Sequence, residues 1–226
     1  MNSIIQIKNL SKNYNSKTRV LKNLNFNFKA GKTYSLTGPS GSGKSTLLNL
    51  ISLIDKPSSG SIKIDNLNIN FLMSEKNDEI RSSKIGIIYQ DKNLLSDFTI
   101  LENVYFARLA VNENKNSALK EAKYLLEKVG LGNRINHFPS QISGGESQRV
   151  AISRAIINSP KIILADEPTG SLDKKNAKII FKLLFEHKKN NRTIIFATHN
   201  RYFANMADCK IELIDGKMKI INGRIN

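Results

Sequence analysis

The most informative part of the sequence is Gly38-Pro39-Ser40-Gly41-Ser42-Gly43-Lys44-Ser45-Thr46, which matches the pattern G-x-x-x-x-G-K-[ST]. Glycines in this pattern let successive backbone N–H groups turn toward a phosphate, and the helix expected after them adds its positive N-terminus. Lys44 can reach the β- and γ-phosphates of a nucleotide, and the Ser45 hydroxyl can bind Mg²⁺. Residues 33–37, before the loop, have the pattern of a strand, which is the context that this chemistry requires.

An acidic pair follows a second apolar segment. Residues 162–165 are Ile-Ile-Leu-Ala, and they lead directly into Asp166 and Glu167. A buried strand that ends in an acid places a carboxylate at the C-terminal edge of a sheet, where Asp166 can hold Mg²⁺. Glu167 is then placed to orient or deprotonate a water molecule that attacks a phosphate. Two acids at a strand end are common by themselves, so this interpretation depends on the phosphate loop.

A third segment predicts a helix with an accessible N-terminus. It is Ser143-Gly144-Gly145-Glu146-Ser147-Gln148-Arg149, in which Ser143 and Glu146 have the S-x-x-E spacing of a capping box. The helix should begin here and run toward Pro160. Two glycines leave its start open to a phosphate group. Because the phosphate loop already provides one such helix start, a second one suggests a nucleotide shared between two chains.

Strands and helices alternate along most of the chain. The first thirty residues have the alternating pattern of a small antiparallel sheet. Helices are expected over residues 44–51 and 174–188, and strands over 61–65, 85–89, 162–165 and 193–197. This order predicts an α/β fold with a mostly parallel sheet. Apolar residues further along have helical spacing, so we expect a single domain of 226 residues in which about 91–155 form an inserted helical subdomain.

Composition narrows the class of protein. The 35 Lys and Arg residues outnumber the 19 Asp and Glu residues, which gives a net charge of +16. No nucleic-acid-binding motif accompanies this charge, so we expect no nucleic-acid partner and assign the charge to background composition or to attraction toward an anionic membrane or nucleotide. The single cysteine excludes an intramolecular disulfide. No stretch has the length of a signal peptide core or a membrane span, so a cytoplasmic chain is expected.

Together these motifs resemble those of ATP-binding cassette (ABC) ATPases, the nucleotide-binding subunits of ABC transporters, over essentially the whole chain. In order, the matching motifs are the Walker A loop (38–46), the Q-loop at Gln90, the signature (142–148), Walker B ending at Asp166 and Glu167, the D-loop with Ser171 and Asp173, and the H-loop at His199. The resemblance implies a P-loop NTPase (RecA-like) core with a mostly parallel sheet, an N-terminal antiparallel β-subdomain and an inserted helical signature subdomain.

The resemblance also implies a role for each matching residue, with ATP and Mg²⁺ as cofactors. Tyr14 would stack on adenine, Gln90 would contact Mg²⁺ and water beside Ser45 and Asp166, and His199 would contact the γ-phosphate and steady Glu167. In an ATP-sandwich dimer with a second copy of the chain, the residues facing the other copy's nucleotide would be Ser143, Gly144, Gly145, Glu146 and Gln148. The signature here is Ile-Ser-Gly-Gly-Glu-Ser where Leu-Ser-Gly-Gly-Gln-Gln is usual, and Asn200 stands where Asp is usual. Neither departure removes a phosphate contact.

The family further implies peripheral association with integral permease subunits at the cytoplasmic face of the inner membrane. Residues 94–104, LLSDFTILENV, resemble the segment after the Q-loop in lipoprotein-releasing ATPases. That subgroup would give LolC/LolE-like permeases as partners, and Asp97 and Glu102 as candidate contacts to them. Macrolide exporters and FtsE-like cell-division complexes share much of this pattern and remain open alternatives. An ABC ATPase that acts on nucleic acid is a further alternative, which only the basic charge favours.

Overall fold

Two β-sheets and a group of helices make up the fold. The structure is a computed structural model that describes residues 2–15 and 18–223, without the side chains of residues 189 and 190. The described strands are β1 (Ser3–Asn13), β2 (Arg19–Lys29), β3 (Thr33–Thr37), β4 (Ser59–Ile64), β5 (Leu67–Asn68), β6 (Ile85–Ile88), β7 (Ile162–Asp166), β8 (Thr193–Ala197), β9 (Cys209–Ile214) and β10 (Lys217–Asn222). The described helices are α1 (Lys44–Ile51), α2 (Ser74–Lys84), α3 (Ile100–Leu109), α4 (Lys115–Lys128), α5 (Gly144–Ile156), α6 (Lys174–Glu186) and α7 (Arg201–Ala204).

The larger sheet has six strands in the order β10-β9-β3-β8-β7-β6. Its five strands from β9 to β6 are parallel, and β10 runs antiparallel to β9 at one edge. Strands β3, β7 and β8 are buried along almost their whole length, which is typical of parallel strands covered on both faces. Their carboxyl ends therefore lie together, and Asp166 pairs in register with Ala197.

The smaller sheet is antiparallel, with the order β2-β1-β4-β5. Its inward side chains, such as Ile5, Leu10 and Phe28, share one apolar cluster with Leu47 of α1 and Leu36 of the larger sheet. Helix α1 is therefore enclosed between the two sheets. Burial of this continuous apolar surface fixes the start of α1, and with it the phosphate loop, relative to both sheets.

Helices α3, α4 and α5 pack around a separate apolar cluster. It includes Val104 of α3, Leu126 of α4 and Val150 of α5. Both α3 and α5 begin with capping boxes, formed by Thr99 with Glu102 and by Ser143 with Glu146. The limits of the inserted helical subdomain, about 91–155, remain a prediction.

The predicted fold class is confirmed, since the molecule combines a mostly parallel sheet with an antiparallel one. The elements that were not predicted are β5, α2, α7, β9 and β10. Only Asn77 and Ile80 of α2 are buried, so this helix has no apolar periodicity to detect. Helix α6 ends at Glu186, two residues earlier than expected, because residues 187–190 form a 3₁₀ turn. Among the described residues the longest helix has 14 residues, and none is long and apolar enough to cross a membrane.

A glycine allows β6 and α5 to approach closely. A Cβ atom on Gly86 would lie 2.3 Å from the Ala155 carbonyl oxygen and 3.0 Å from a Pro160 side-chain atom. The nearest of these neighbours is helix backbone, which cannot move as a side chain can. The close contact holds the strand that leads to Gln90 against the helix that begins at Ser143.

We therefore expect Gly86→Ala to lower the free energy of unfolding by about 1–3 kcal/mol, the range for an extra methyl group forced into a packed interior. The matched control is Gly144→Ala, whose Cβ would meet only a Leu172 methyl group at 3.8 Å. Urea unfolding, monitored by circular dichroism, measures the free energy of unfolding of both variants. Equal midpoints for the two variants would show that β6 and α5 are not in the close contact described.

Candidate functional site

The phosphate loop connects β3 to α1 and depends on two glycines with positive φ. Gly38 has φ 140°, and a Cβ there would lie 2.1 Å from the Leu213 carbonyl oxygen. Gly43, the N-cap of α1, has φ 101° and supplies no side chain to cap the helix. The first N–H groups of α1 are thus free of a side-chain cap, and no acidic residue occupies the first turn. A helix start of this kind favours an anion.

Two side chains of the loop are arranged in a manner that fits a phosphate group. The Lys44 ammonium is largely buried and donates hydrogen bonds to the carbonyl oxygens of Gly38 and Pro39, both at 3.0 Å. Burial lowers its pKa, and the nearby carboxylates of Glu167 and Asp166 oppose that change. The Ser42 hydroxyl oxygen is buried and has no hydrogen-bond partner among the described residues. A phosphate oxygen would satisfy it.

The loop faces a cavity of about 350 Å³ into which three other predicted motifs also project. The described residues that line it are Val20, Ser40, Gly41, Gly43, Lys44, Ser45, Thr46, Gln90, Asp166, Glu167 and His199. Most of them lie at the carboxyl ends of β3, β6, β7 and β8, where an open α/β sheet usually binds its ligand. Val20 was not predicted, because a single valine near the start of a strand carries no chemical signal in the sequence.

Glu167 has an unusual backbone conformation directly after β7. Its φ is +42°, in the left-handed region that few non-glycine residues adopt. Two backbone hydrogen bonds hold it there: its N–H donates to the Ala197 carbonyl, and its carbonyl accepts from Gly170. Strained backbone of this kind persists only where the surroundings enforce it, and it is concentrated at functional sites.

The carboxylate of Glu167 lies against His199. The His199 backbone N–H donates to Glu167 Oε2 at 3.3 Å, and His199 Nε2 lies 3.3 Å from Oε1. Oε1 is buried and makes no hydrogen bond of good geometry to any described residue. Burial raises the pKa of the Glu167 carboxyl, while the His199 N–H acts in the opposite direction. A partly desolvated carboxylate with an unsatisfied oxygen is suited to accept a proton.

Tyr14 lies beside the loop but is 57% exposed. Its hydroxyl is 3.5 Å from Thr46 Oγ1 and 3.5 Å from Asp55 Oδ2, and the Lys12 ammonium lies 5.0 Å from the centre of its ring. One ring face is therefore beside a cation. The ring is held at the edge of the phosphate loop and is accessible to a flat ligand.

The signature residues do not line this cavity. Ser143 caps α5, and its hydroxyl accepts from the Glu146 N–H at 3.3 Å while Glu146 accepts from the Ser143 N–H at 2.8 Å. Glu146 also pairs with Arg134 at 3.1 Å, and Gln148 is buried. Within one chain, the side chains of Ser143 and Glu146 therefore cap the start of α5. Gly144 is exposed, whereas Gly145 is buried and a Cβ there would meet Asn176 Oδ1 at 2.9 Å.

The D-loop residues Ser171 and Asp173 do not line this cavity and have local partners. Asp173 caps α6 by accepting hydrogen bonds from the N–H groups of Lys175 and Asn176. These hydrogen bonds, led by those from Asn176, lower the pKa of the Asp173 carboxyl. The Ser171 hydroxyl accepts a hydrogen bond from the Lys92 ammonium at 2.9 Å. This contact joins the D-loop to the segment that follows Gln90.

Glu102 has a structural partner that the sequence analysis did not assign to it. Its carboxylate accepts hydrogen bonds from the backbone N–H and the hydroxyl of Thr99, both at 2.8 Å, and they lower its pKa. The T-x-x-E spacing of a capping box was the signal that could have shown this. Asp97 is exposed and contacts only the neighbouring Ser96 hydroxyl among the hydrogen bonds of the described residues.

A second cavity of about 590 Å³ lies on the other side of the residues that follow β6. It is bounded by α2, β6, the end of α3 and α5, and its lining includes Ile54, Arg81, Tyr89, Asn93, Ala107 and Arg154. Tyr89 and Gln90 are adjacent in sequence but line different cavities. The backbone of residues 89 and 90 therefore separates the two cavities.

Comparison with known proteins gives a consistent result. The family model described as ABC transporter matches residues 21–170. The chain is 44% identical to the lipoprotein-releasing system ATP-binding protein LolD of Rickettsia bellii, over 97% of this chain and 99% of that protein. It is 43% identical to LolD of Treponema denticola, over 96% of this chain and 97% of that protein.

Solved structures agree with the fold. The dimeric ATP-binding cassette MJ0796, in a post-hydrolysis state with ADP and Pi, superimposes with a TM-score of 0.89 at 38% identity and covers 97% of this chain and 100% of that chain. CbiO1 from Clostridium perfringens, part of the ABC transporter complex cbiONQ, gives 0.86 at 31% identity, covering 97% of this chain and 88% of that one. The chain therefore belongs to the ABC transporter family of ATP-binding proteins.

Proposed function

We propose that the chain hydrolyses ATP in the 350 Å³ cavity, as the nucleotide-binding subunit of a lipoprotein-releasing ABC complex. The observation that carries the proposal is the convergence of the phosphate loop, Asp166, Glu167 and His199 on one cavity. The LolD relatives, which match over nearly the full length, support the choice of system. The reaction is the transfer of the γ-phosphoryl group to water.

The donor set of the cavity fits Mg²⁺. The hydroxyl of Ser45, the carboxylate of Asp166 and the side-chain oxygen of Gln90 are the hard oxygen ligands that this ion prefers. No group of three or more His, Cys, Asp or Glu side chains able to hold a metal occurs in the described ranges. Mg²⁺ in nucleotide sites is held by one or two carboxylates together with phosphate oxygens, so it does not need such a group. The bound ion would neutralise phosphate charge.

The protein's own residues perform the remaining steps. Lys44 releases the loop carbonyls and turns to the β- and γ-phosphates when a nucleotide enters. Glu167 orients the attacking water and accepts its proton at the unsatisfied Oε1. His199 holds Glu167 through its backbone N–H and contacts the γ-phosphate with its ring. Tyr14 stacks on the adenine.

Glu167→Gln should retain ATP binding and lower kcat about 10²–10⁴-fold, because it removes one general base and keeps the shape of the side chain. Burial raises the pKa of Glu167. Since the deprotonated form is the active one, the acidic limb of wild-type kcat should lie at higher pH than an ordinary glutamate would give. Steady-state ATPase assays over a range of pH measure kcat, and binding of a fluorescent ATP analogue measures the affinity for ATP. Unchanged turnover in the variant would remove Glu167 from its role.

Two copies of the chain would form an ATP-sandwich dimer, in which each signature completes the partner's site. Support comes from Gly144, which is exposed at the start of α5 and lies outside the cavity of its own chain. The dimeric MJ0796 cassettes provide the precedent. Gly145 is a poorer test position than Gly144, because any side chain there would first collide with Asn176 of the same chain.

Lys44→Ala and Gly144→Val should each abolish hydrolysis alone, and mixing the two proteins should restore part of it. The heterodimer holds one site with both defects and one with neither. Gly144→Val should still bind ATP, since the phosphate loop is intact. Gly144→Ala serves as the control and should keep most of the activity. Loss of ATP binding in Gly144→Val, or full activity in Lys44→Ala, would contradict the assignment.

The permease partners would be of the LolC/LolE type, and the 590 Å³ cavity beside α3 and α5 is the surface we assign to them. The complex would lie at the cytoplasmic face of the inner membrane, with this chain bound peripherally. Asp97 does not line this cavity, but it is the acid to probe as a permease contact, since its side chain is exposed. Glu102 is unsuitable because its carboxylate caps α3. No nucleic-acid partner is proposed.

Depletion of the protein from its own cells should leave newly made lipoproteins in the inner membrane. Removing an acyl chain from a bilayer costs about 0.8 kcal/mol per CH₂, so release of a multiply acylated anchor needs work from ATP. Pulse labelling followed by membrane fractionation measures the defect, and the Lys44→Ala gene supplies the matched control. Normal lipoprotein sorting together with failed drug efflux would favour a macrolide-type exporter instead. Normal sorting together with failed septation would favour an FtsE-like complex.

A further inference from the structure

The segment after β6 contacts two functional regions through its backbone and its side chains. Gln90 projects into the nucleotide cavity, and Tyr89 and Asn93 line the outer cavity. Any displacement of this segment therefore changes both cavities. The phosphate loop and the signature do not explain how this segment is held in place.

Arg154 of α5 holds it by two short hydrogen bonds. Its Nη1 donates to the Asn93 carbonyl oxygen at 2.7 Å, and its Nη2 donates to the Lys92 carbonyl oxygen at 2.6 Å. Both hydrogen bonds are short, as hydrogen bonds from a charged donor are, and the planar guanidinium can donate to two adjacent carbonyls at once. Asn93 presents its carbonyl from a left-handed conformation, with φ +47°.

No carboxylate among the residues that the structure describes forms an ion pair with the Arg154 guanidinium. Burial lowers its pKa, with the nearby Tyr89 opposing that change. A half-buried cation that is held by two carbonyl oxygens loses much of its stabilisation if either carbonyl moves away. The contact is therefore a stiff one.

Helix α5 carries this contact to the signature. Gly144 begins the helix and Arg154 lies ten residues later, about 15 Å along its axis. The Lys92 side chain reaches in the other direction, to the Ser171 hydroxyl of the D-loop. A short stretch of backbone thus connects the start of α5, Gln90 and the D-loop.

We propose that Arg154 is a positioning residue that holds the Gln90 segment in a fixed place relative to the signature helix, so that the two move as one unit. The inference rests on the proposed ATPase function. Arg154 does not line the nucleotide cavity, so we expect ATP binding by the phosphate loop to be independent of it. The variants should therefore separate kcat from KM.

Arg154→Lys should lower kcat about tenfold or more and leave KM for ATP within about twofold. Lysine keeps the charge but presents a point donor that cannot span two carbonyls, and small displacements of positioning groups cost up to about 10²-fold in rate. The matched control is Arg108→Lys. Arg108 also donates to a carbonyl at the end of α5, that of Ile157 at 3.3 Å, but does not touch the Gln90 segment. Its kcat should stay within about twofold of wild type.

A second pair of variants approaches the contact from the exposed side. Asn93→Val disfavours the left-handed backbone that presents the carbonyl, because a β-branched residue is strained there. Asn93→Gly permits that backbone freely and is the matched control. Position 93 is exposed, so both proteins should fold. Both variants remove the same side chain from the outer cavity, so we expect kcat to be about three- to tenfold lower in Asn93→Val than in Asn93→Gly, with the same KM in both.

The outcomes are distinct. Equal kcat in Asn93→Val and Asn93→Gly overturns the inference, as does wild-type kcat in Arg154→Lys or a rise in KM that accounts for the loss. If Arg154→Lys does not fold, the Asn93 pair alone decides. Absence of hydrolysis in the wild-type protein, purified with its membrane partner, would instead overturn the proposed function.

Discussion

The arrangement of the site follows from the burial of three parallel strands on both faces. Strands β3, β7 and β8 are buried almost throughout and hold no charged side chain before the last residue of β7, so the charged groups of the site appear where the strands end. Because the strands are parallel, these ends share one edge. The phosphate loop, Asp166 and His199 are far apart in the chain, and the pairing of β3 and β7 with β8 brings them to this edge. Strand burial and strand pairing together thus create the juxtaposition on which the chemistry depends.

Groups at this edge acquire their properties from how much water each retains. Glu167 is partly desolvated and its pKa is raised. Ser45, Asp166 and Gln90, whose oxygens would bind Mg²⁺, line the cavity. Lys44 is held by loop carbonyls rather than by a carboxylate. It can leave them for a phosphate without breaking an ion pair. The site is therefore ready to exchange weak internal contacts for strong ones to a nucleotide.

The sequence predicted those features that have a local chemical signature. The phosphate loop, the strand before Asp166 and the Ser143 capping box are each specified by a few adjacent residues, and the structure contains all three. Helix α2 and the contact of Arg154 with Lys92 and Asn93 could not be predicted. The helix buries almost no apolar surface, and the contact joins a side chain to carbonyls about sixty residues away, which any residue type could supply. The capping role of Glu102 had a local signature and was overlooked.

The close approach of the Leu213 carbonyl to Gly38 has a consequence for how the protein is made. Strand β9 pairs with β3 and sits against the phosphate loop, and Thr37 donates a hydrogen bond to a carbonyl 174 residues further along. During synthesis the loop emerges early and its neighbour emerges late. A nascent chain therefore lacks one wall of the loop until translation has passed β9. The phosphate loop therefore acquires its full set of backbone contacts only after β9 has been synthesised.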